Sequence, residues 1–98
     1  MKIIWSPLSL ERIVEISENI SADKPGASIK WIESVFNAVE RLKKYPHSGR
    51  VVPELNRPDI QEILLGNYRI IYRLEKQSVF ILTVRHGNQI LSEEVLTK

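Results

Sequence analysis

Arg69, Arg73, Arg85 and His86 are the side chains of this sequence best suited to chemistry on an anion. Guanidiniums can neutralise a phosphate, and an imidazole beside them can move a proton near neutral pH. Together they outline metal-free cleavage of RNA through its own 2′-hydroxyl, with arginine stabilising the developing charge and histidine acting as general acid or base. Other chemistries lack their parts. His47 and His86 are isolated and do not make a metal-ligand set. There is no glycine-rich phosphate cradle, and no serine has a base and an orienting partner fixed by spacing. The absence of cysteine removes thiolate nucleophiles, thiolate metal sites and disulfides. No metal or cofactor is therefore expected. A lone histidine is also commonly structural, and His86 falls in phase with Phe80, Leu82 and Val84, which aims it at the core side of a regular strand.

The stretch that must position these residues is 61–87, QEILLGNYRIIYRLEKQSVFILTVRHG, which reads as three short antiparallel strands. Gly66-Asn67 is a two-residue hairpin loop of the kind whose twist matches its strands. Leu65 then falls opposite Tyr68, Ile63 opposite Ile70 and Gln61 opposite Tyr72, so that Ile63, Leu65, Tyr68, Ile70, Tyr72 and Leu74 share a core face. For Phe80, Leu82 and Val84 to reach the same core, Leu74 must lie opposite Phe80 across the Lys76-Gln77-Ser78 loop. The other face then holds Glu62, Leu64, Arg69, Ile71, Arg73, Ile81, Thr83 and Arg85, with Arg69 directly across from Arg85. Facing like charges destabilise a sheet. Glu62, diagonal to Arg69 and Arg73, is the one carboxylate that this register offers in relief. Such a face is either ordinary solvated sheet or a mixed apolar and cationic groove that receives an anion or an acidic partner.

The preceding residues supply the cover. Lys2 to Trp5 predicts a first strand. Ser6-Pro7 is an N-cap followed by proline at the first helical position, and Leu10, Ile13, Val14, Ile16 and Ile20 form the apolar stripe of a helix ending near 19–22. A second helix restarts at 23–26 and runs to about Tyr45, with Ile32, Val35, Phe36, Val39 and Leu42 on one stripe and Trp31, Ala38 and Tyr45 on another. Two helices joined so tightly form an antiparallel hairpin. The second stripe either wraps onto the first helix or awaits a partner. Pro46 stops the helix, and HSGRVVPELNRPD predicts a long loop, a length often tied to function.

The 98 residues are 43% hydrophobic and 27% charged, which places them as one soluble domain over 1–98 with a modest core. Ile3-Ile4-Trp5 is too short for a signal peptide or a membrane span, so a cytoplasmic location is expected. The net charge of +2 conceals a basic cluster, Arg41, Lys43, Lys44, Arg50 and Arg57, accompanied only by Glu54. That cluster is either a solvated helix end or a surface for nucleic acid or an acidic partner.

Trp5-Ser6-Pro7 opening a helix, the Pro25 restart, Tyr45-Pro46-His47-Ser48-Gly49-Arg50-Val51-Val52-Pro53-Glu54, the run from Gly66 to Arg73 and Ile81-Leu82-Thr83-Val84-Arg85-His86-Gly87, in this order and spacing, resemble the RelE/ParE superfamily of toxins. The resemblance spans nearly the whole chain. It implies an α+β fold in which an N-terminal strand and an α-helical hairpin pack on an antiparallel β-sheet. It also implies the toxin half of a type II toxin-antitoxin pair, held inactive by an antitoxin with a flexible, acidic segment. RelE-like members are ribosome-dependent messenger RNA endonucleases, whereas ParE-like members poison DNA gyrase. Arg69 matches an arginine that the nucleases place on the scissile phosphate, and Arg85 and His86 stand where they place further basic or acid-base groups. Against this, 61–65 has no lysine and the tail 88–98 has no aromatic to stack on a base. The SGRVVPE loop and the Trp-Ser-Pro start look more like ParE and the plasmid-stabilisation group. The resemblance therefore implies a gyrase poison whose target contacts are Arg50, Arg69, Arg73 and Arg85, with Trp31, Ala38, Arg69 and Arg73 facing the antitoxin. The alternatives are a messenger RNA interferase using Arg69, Arg85 and His86, and a remnant that only binds its antitoxin.

Overall fold

The structure, a computed structural model, describes residues 1–87. Strand β1 (Lys2–Trp5) leads into helices α1 (Pro7–Asp23) and α2 (Ala27–Glu40), a 3-10 turn (Arg41–Lys43), and strands β2 (Arg50–Val51), β3 (Ile60–Leu65), β4 (Tyr68–Leu74) and β5 (Ser78–His86). The sheet order is β1-β5-β4-β3-β2. Four strands are antiparallel, and β1 adds itself parallel to β5, so the sheet is mixed rather than purely antiparallel. The β3–β4 hairpin has the register that its turn dictates, with Gly66 at φ +57° where a side chain would be strained. Leu65 faces Tyr68, Ile63 faces Ile70 and Gln61 faces Tyr72.

The β4–β5 register agrees with alternation only at its far end. Arg69 pairs with Arg85, Ile70 with Val84 and Ile71 with Thr83, but Tyr72 pairs with Ile81, Arg73 with Phe80 and Leu74 with Val79. Leu82 is therefore the extra residue of a β-bulge. The bulge exchanges the faces expected for the first half of β5. Val79 and Ile81 enter the helix-side core, while Phe80 and Leu82 turn to the opposite face. The cause is Ser6, fully buried beside the bulge. Its N–H donates to the Ile81 carbonyl (3.0 Å), its hydroxyl donates to the Leu82 carbonyl (2.8 Å), and its Oγ accepts from the Ser9 N–H (3.0 Å) as the N-cap of α1. One side chain thus caps a helix and satisfies a carbonyl that the bulge removes from the ladder. Ser6→Ala is expected to cost about 2–4 kcal/mol, a cap plus a buried carbonyl left unpaired, measured by urea unfolding.

The sheet separates two cores. On the helix side Ile13, Val35, Ala38, Val39 and Leu42 pack on Ile70, Tyr72, Val79, Ile81 and Val84. The opposite side is neither solvated sheet nor an open groove, because Val52, Ile60, Ile71 and Leu82 form a second core joined by Leu8, Leu55 and Phe80. The segment read as a loop supplies its lid and also the short strand β2. On α1 the buried positions are Ser9 and Ile13, with Ile16 packed against the core, whereas Leu10 and Val14 of the expected stripe are 45% and 54% exposed. Regular helix ends at Glu40, short of Tyr45. Trp31 is partly buried against the helix-side core. It meets Tyr68 of the sheet edge-on, with ring centroids 5.3 Å apart, while Phe36, on the core stripe by sequence, is partly exposed and tilts onto Trp5.

Candidate functional site

The cationic face is built around a buried ion network. Glu62 lies on β3 with its side chain wholly buried, and Arg69 on β4 is 5% exposed. Arg69 Nε donates to Glu62 Oε1 at 2.6 Å, and its two terminal nitrogens form a fork onto Glu54, at 2.7 and 2.8 Å. The second oxygen of Glu62 accepts from Arg50 Nε at 2.8 Å. Hydrogen bonding to Glu54 is the main reason that the Arg69 pKa rises above its already high usual value, opposed by burial and helped by Glu62. The cation is thus permanent. Glu62 relieves the facing arginines as the register suggested, but through Arg69 and Arg50 rather than Arg73. Glu54 and Arg50 come from the segment 44–59, whose path over the sheet no alternation pattern reveals.

The network also needs the turn before β2. The Tyr72 hydroxyl accepts from the Gly49 N–H (3.1 Å) and lies 3.2 Å from the Pro46 carbonyl and 3.1 Å from Gln61 Oε1. A Cβ at Gly49 would run into that hydroxyl and the Glu62 carbonyl, so the chain comes this close only with glycine. Between this turn and the end of α2 lies an open cleft of about 560 Å³.

The remaining candidate residues are dispersed. Arg73 pairs with Glu75 (2.9 Å) and stacks its guanidinium 5.0 Å from the Phe80 ring. Arg85 shares the Arg69 face by register, and its buried Nε has no hydrogen-bond partner among the described residues. His86 pairs with Tyr68 and packs edge-on against its ring at 5.5 Å, on the helix side of the sheet. It faces a second cleft with Arg12, Glu15, Asn19, Tyr68 and Arg85. Arg69 and His86 thus lie on opposite faces and are not brought together, whereas Arg85 and Arg12 line one cleft with His86. Ala38, an expected antitoxin contact, is 5% exposed and packs in the core at the wall of the cleft beside the Gly49 turn, whereas Trp31 is half-buried with its indole N–H unpaired among the described residues. The segment 88–98, with its missing aromatic, lies outside the described residues.

A model of the family described as the ParE toxin of the type II toxin-antitoxin system parDE matches residues 3–91. The chain belongs to the ParE toxin family. This ParE chain is 36% identical over 90 residues to "Putative toxin Y4kP" of Sinorhizobium fredii, which covers 90% of each protein. It is 30% identical over 87 residues to "Toxin ParE3" of Caulobacter vibrioides, covering 88% of this chain and 83% of the relative. A solved structure described as "Chromosomal ParDE TA system from P. aeruginosa" has the same fold, with a TM-score of 0.75 at 16% identity over 88% of this chain and 95% of that one. In this ParE chain no helix of the described residues is long and apolar enough to cross a membrane.

Proposed function

We propose that this ParE-family toxin acts as a poison of DNA gyrase and is held inactive by an acidic antitoxin, rather than as a messenger RNA endonuclease. The observation that carries this reading is the enclosure of Arg69. An arginine that must take up a scissile phosphate cannot already hold Glu54 and Glu62 at 2.6–2.8 Å without first displacing them. His86, the histidine that a nuclease reading would use, lies on the other side of the sheet from Arg69. Binding a protein target requires neither. Arg85, Arg73 and the outer nitrogens of Arg50 supply the cationic contacts to gyrase, and Trp31 with Arg73 those to the antitoxin. Supporting this assignment, the matching family model describes ParE toxins, and the two curated relatives are named "Putative toxin Y4kP" and "Toxin ParE3".

Induction in a susceptible bacterium, with chromosomal breakage and transcript integrity read from one culture, tests the reading. Broken chromosomes with intact transcripts are expected. His86→Gln should remain toxic, whereas loss of a general acid or base would lower a nuclease rate by about 10² to 10⁴. Ribosome-dependent cleavage by the purified protein, abolished by His86→Gln, would overturn the proposal, and the absence of both breakage and cleavage would favour a remnant that only binds its antitoxin.

A further inference from the structure

We propose that the free edge of β1 pairs antiparallel with β1 of a second copy about a two-fold axis, so that two sheets run on as one across a dimer of this chain. The pairing is independent of which target the toxin reaches.

The backbone of β1 has one used side and one open side. Lys2 and Ser6 donate their N–H groups to the Gln77 and Ile81 carbonyls, both at 3.0 Å. Even-numbered residues therefore turn their backbone toward β5, and by alternation the N–H and C=O groups of Ile3 and Trp5 point outward. Among the described residues nothing bonds to them. The strand has no proline, bulge or central charge to block pairing.

Two-fold symmetry requires that residue i meet residue j as j meets i, which leaves few registers. Centring the pair on Ile4 sets Ile3 against the partner's Trp5 and Trp5 against the partner's Ile3, and each such pair exchanges both backbone hydrogen bonds. Centring on Ile3 would enlist Met1, whose nitrogen already donates to the Lys43 carbonyl (3.2 Å). Centring on Trp5 would enlist Pro7, which has no N–H. In the Ile4 register the two Lys2 residues stand at opposite ends, each across from the partner's Ser6, so no like charges meet.

The side chains support the same arrangement. Ile3 and Trp5 lie on the helix side and are only partly buried, and Phe36, 42% exposed, tilts onto Trp5 at 4.8 Å. An open hollow of about 460 Å³ lies here between β1 and α2, walled by Ile3, Trp5, Phe36 and Val39. The two-fold brings the partner's Trp5 to the open side of that hollow. On the other face half-buried Ile4, beside its β5 neighbour Phe80, meets its own copy on the axis. A second copy thus supplies an apolar wall together with the strand, which an unrelated extended peptide does not.

Sedimentation velocity of the full chain over a concentration series tests the proposal. The mass is expected to rise from 11.4 kDa toward twice that value, with a dissociation constant on the order of 10 μM for so short an interface. Phe36→Glu changes an exposed position of α2, and Ile3→Pro removes an outward N–H while sparing the bonds to β5. Each should weaken the dimer by about tenfold or more. The chain has no cysteine, so Ile4→Cys, opposite its own copy in a non-hydrogen-bonded pair, should form a disulfide between copies on oxidation, whereas Lys2→Cys should not. This comparison decides even if Ile3→Pro does not fold. Raising the concentration should slow amide exchange at Ile3 and Trp5 more than at Ile4. A single 11.4 kDa species at about 1 mM, wild-type dimerisation by both Phe36→Glu and Ile3→Pro, or cross-linking of Lys2→Cys equal to that of Ile4→Cys would each overturn the proposal.

Discussion

Arg69→Ala is expected to destabilise the fold by about 3–5 kcal/mol, the range for removing one partner of a buried ion pair. The reason is Glu62. Its side chain is wholly buried, and without Arg69 its remaining cation is Arg50, whose own side chain is 59% exposed and held through a single nitrogen. Glu54 loses its two hydrogen bonds from Arg69 too, but at 23% exposure it can recover water. The damage is therefore concentrated on β3. Two comparisons separate this account from a general cost of losing an arginine. Arg73→Ala removes a partly exposed pair with Glu75 and a stack on Phe80, and should cost under about 1 kcal/mol. The double change Glu62→Leu, Arg69→Met removes the buried charge with its partner and should recover most of the loss. Chemical unfolding of the three variants measures both. If Arg73→Ala cost as much as Arg69→Ala, the network would not be the source. A practical corollary is that loss of toxicity in an Arg69 variant would report on folding before it reported on target contact.

Tyr72→Ala should lower stability by about 3–5 kcal/mol, the usual cost of deleting a large buried aromatic. Tyr72 is fully buried against the helix-side core, opposite Ile81, so both a cavity and an unpaired Gly49 N–H would remain. Tyr72→Phe isolates the second part and should cost about 1–3 kcal/mol, with faster proteolysis in the turn at 46–49. Burial raises the phenol pKa above the usual 10.0, outweighing the opposing hydrogen bond from Gly49. The sign follows from linkage. A proton held more tightly in the fold than in the open chain contributes stability that is full below about pH 10 and is lost as pH rises through the higher folded value. Wild type should therefore lose stability over that alkaline range more steeply than Tyr72→Phe, and parallel curves would contradict the assignment.

What could be read from the sequence is what neighbouring residues decide. Gly66-Asn67 sets the β3–β4 pairing locally, and alternation from that turn correctly put Arg69 across from Arg85 with Glu62 at hand. The Ser6 cap and Pro7 start were legible for the same reason. The bulge at Leu82 was not, because the group that stabilises it is Ser6, 76 residues away, and an unbroken apolar run gives no phase to correct. Strand β2 was hidden in a polar, proline-containing segment whose two paired residues are held from outside by β3 and by the Gly49 turn. Glu54 is the clearest loss. Its role depends on where that segment crosses the sheet, and spacing along the chain has no access to that path. Ala38 and Trp31 illustrate a smaller ambiguity: a helical stripe states which residues share a side, but not whether that side meets a sheet or a partner.

The parallel pairing of β1 with β5 also sets a schedule for synthesis. Lys2 waits for Ser78 and Trp5 for Ile81, so the first of the described strands has its partner in the last of them. Until that strand emerges, Ser6 has no bulge to hold and both cores lack a wall. Contacts this distant in sequence form late and slowly. A growing chain on the ribosome therefore keeps both cores open until β5 has been made, and the folded toxin exists only from that point on.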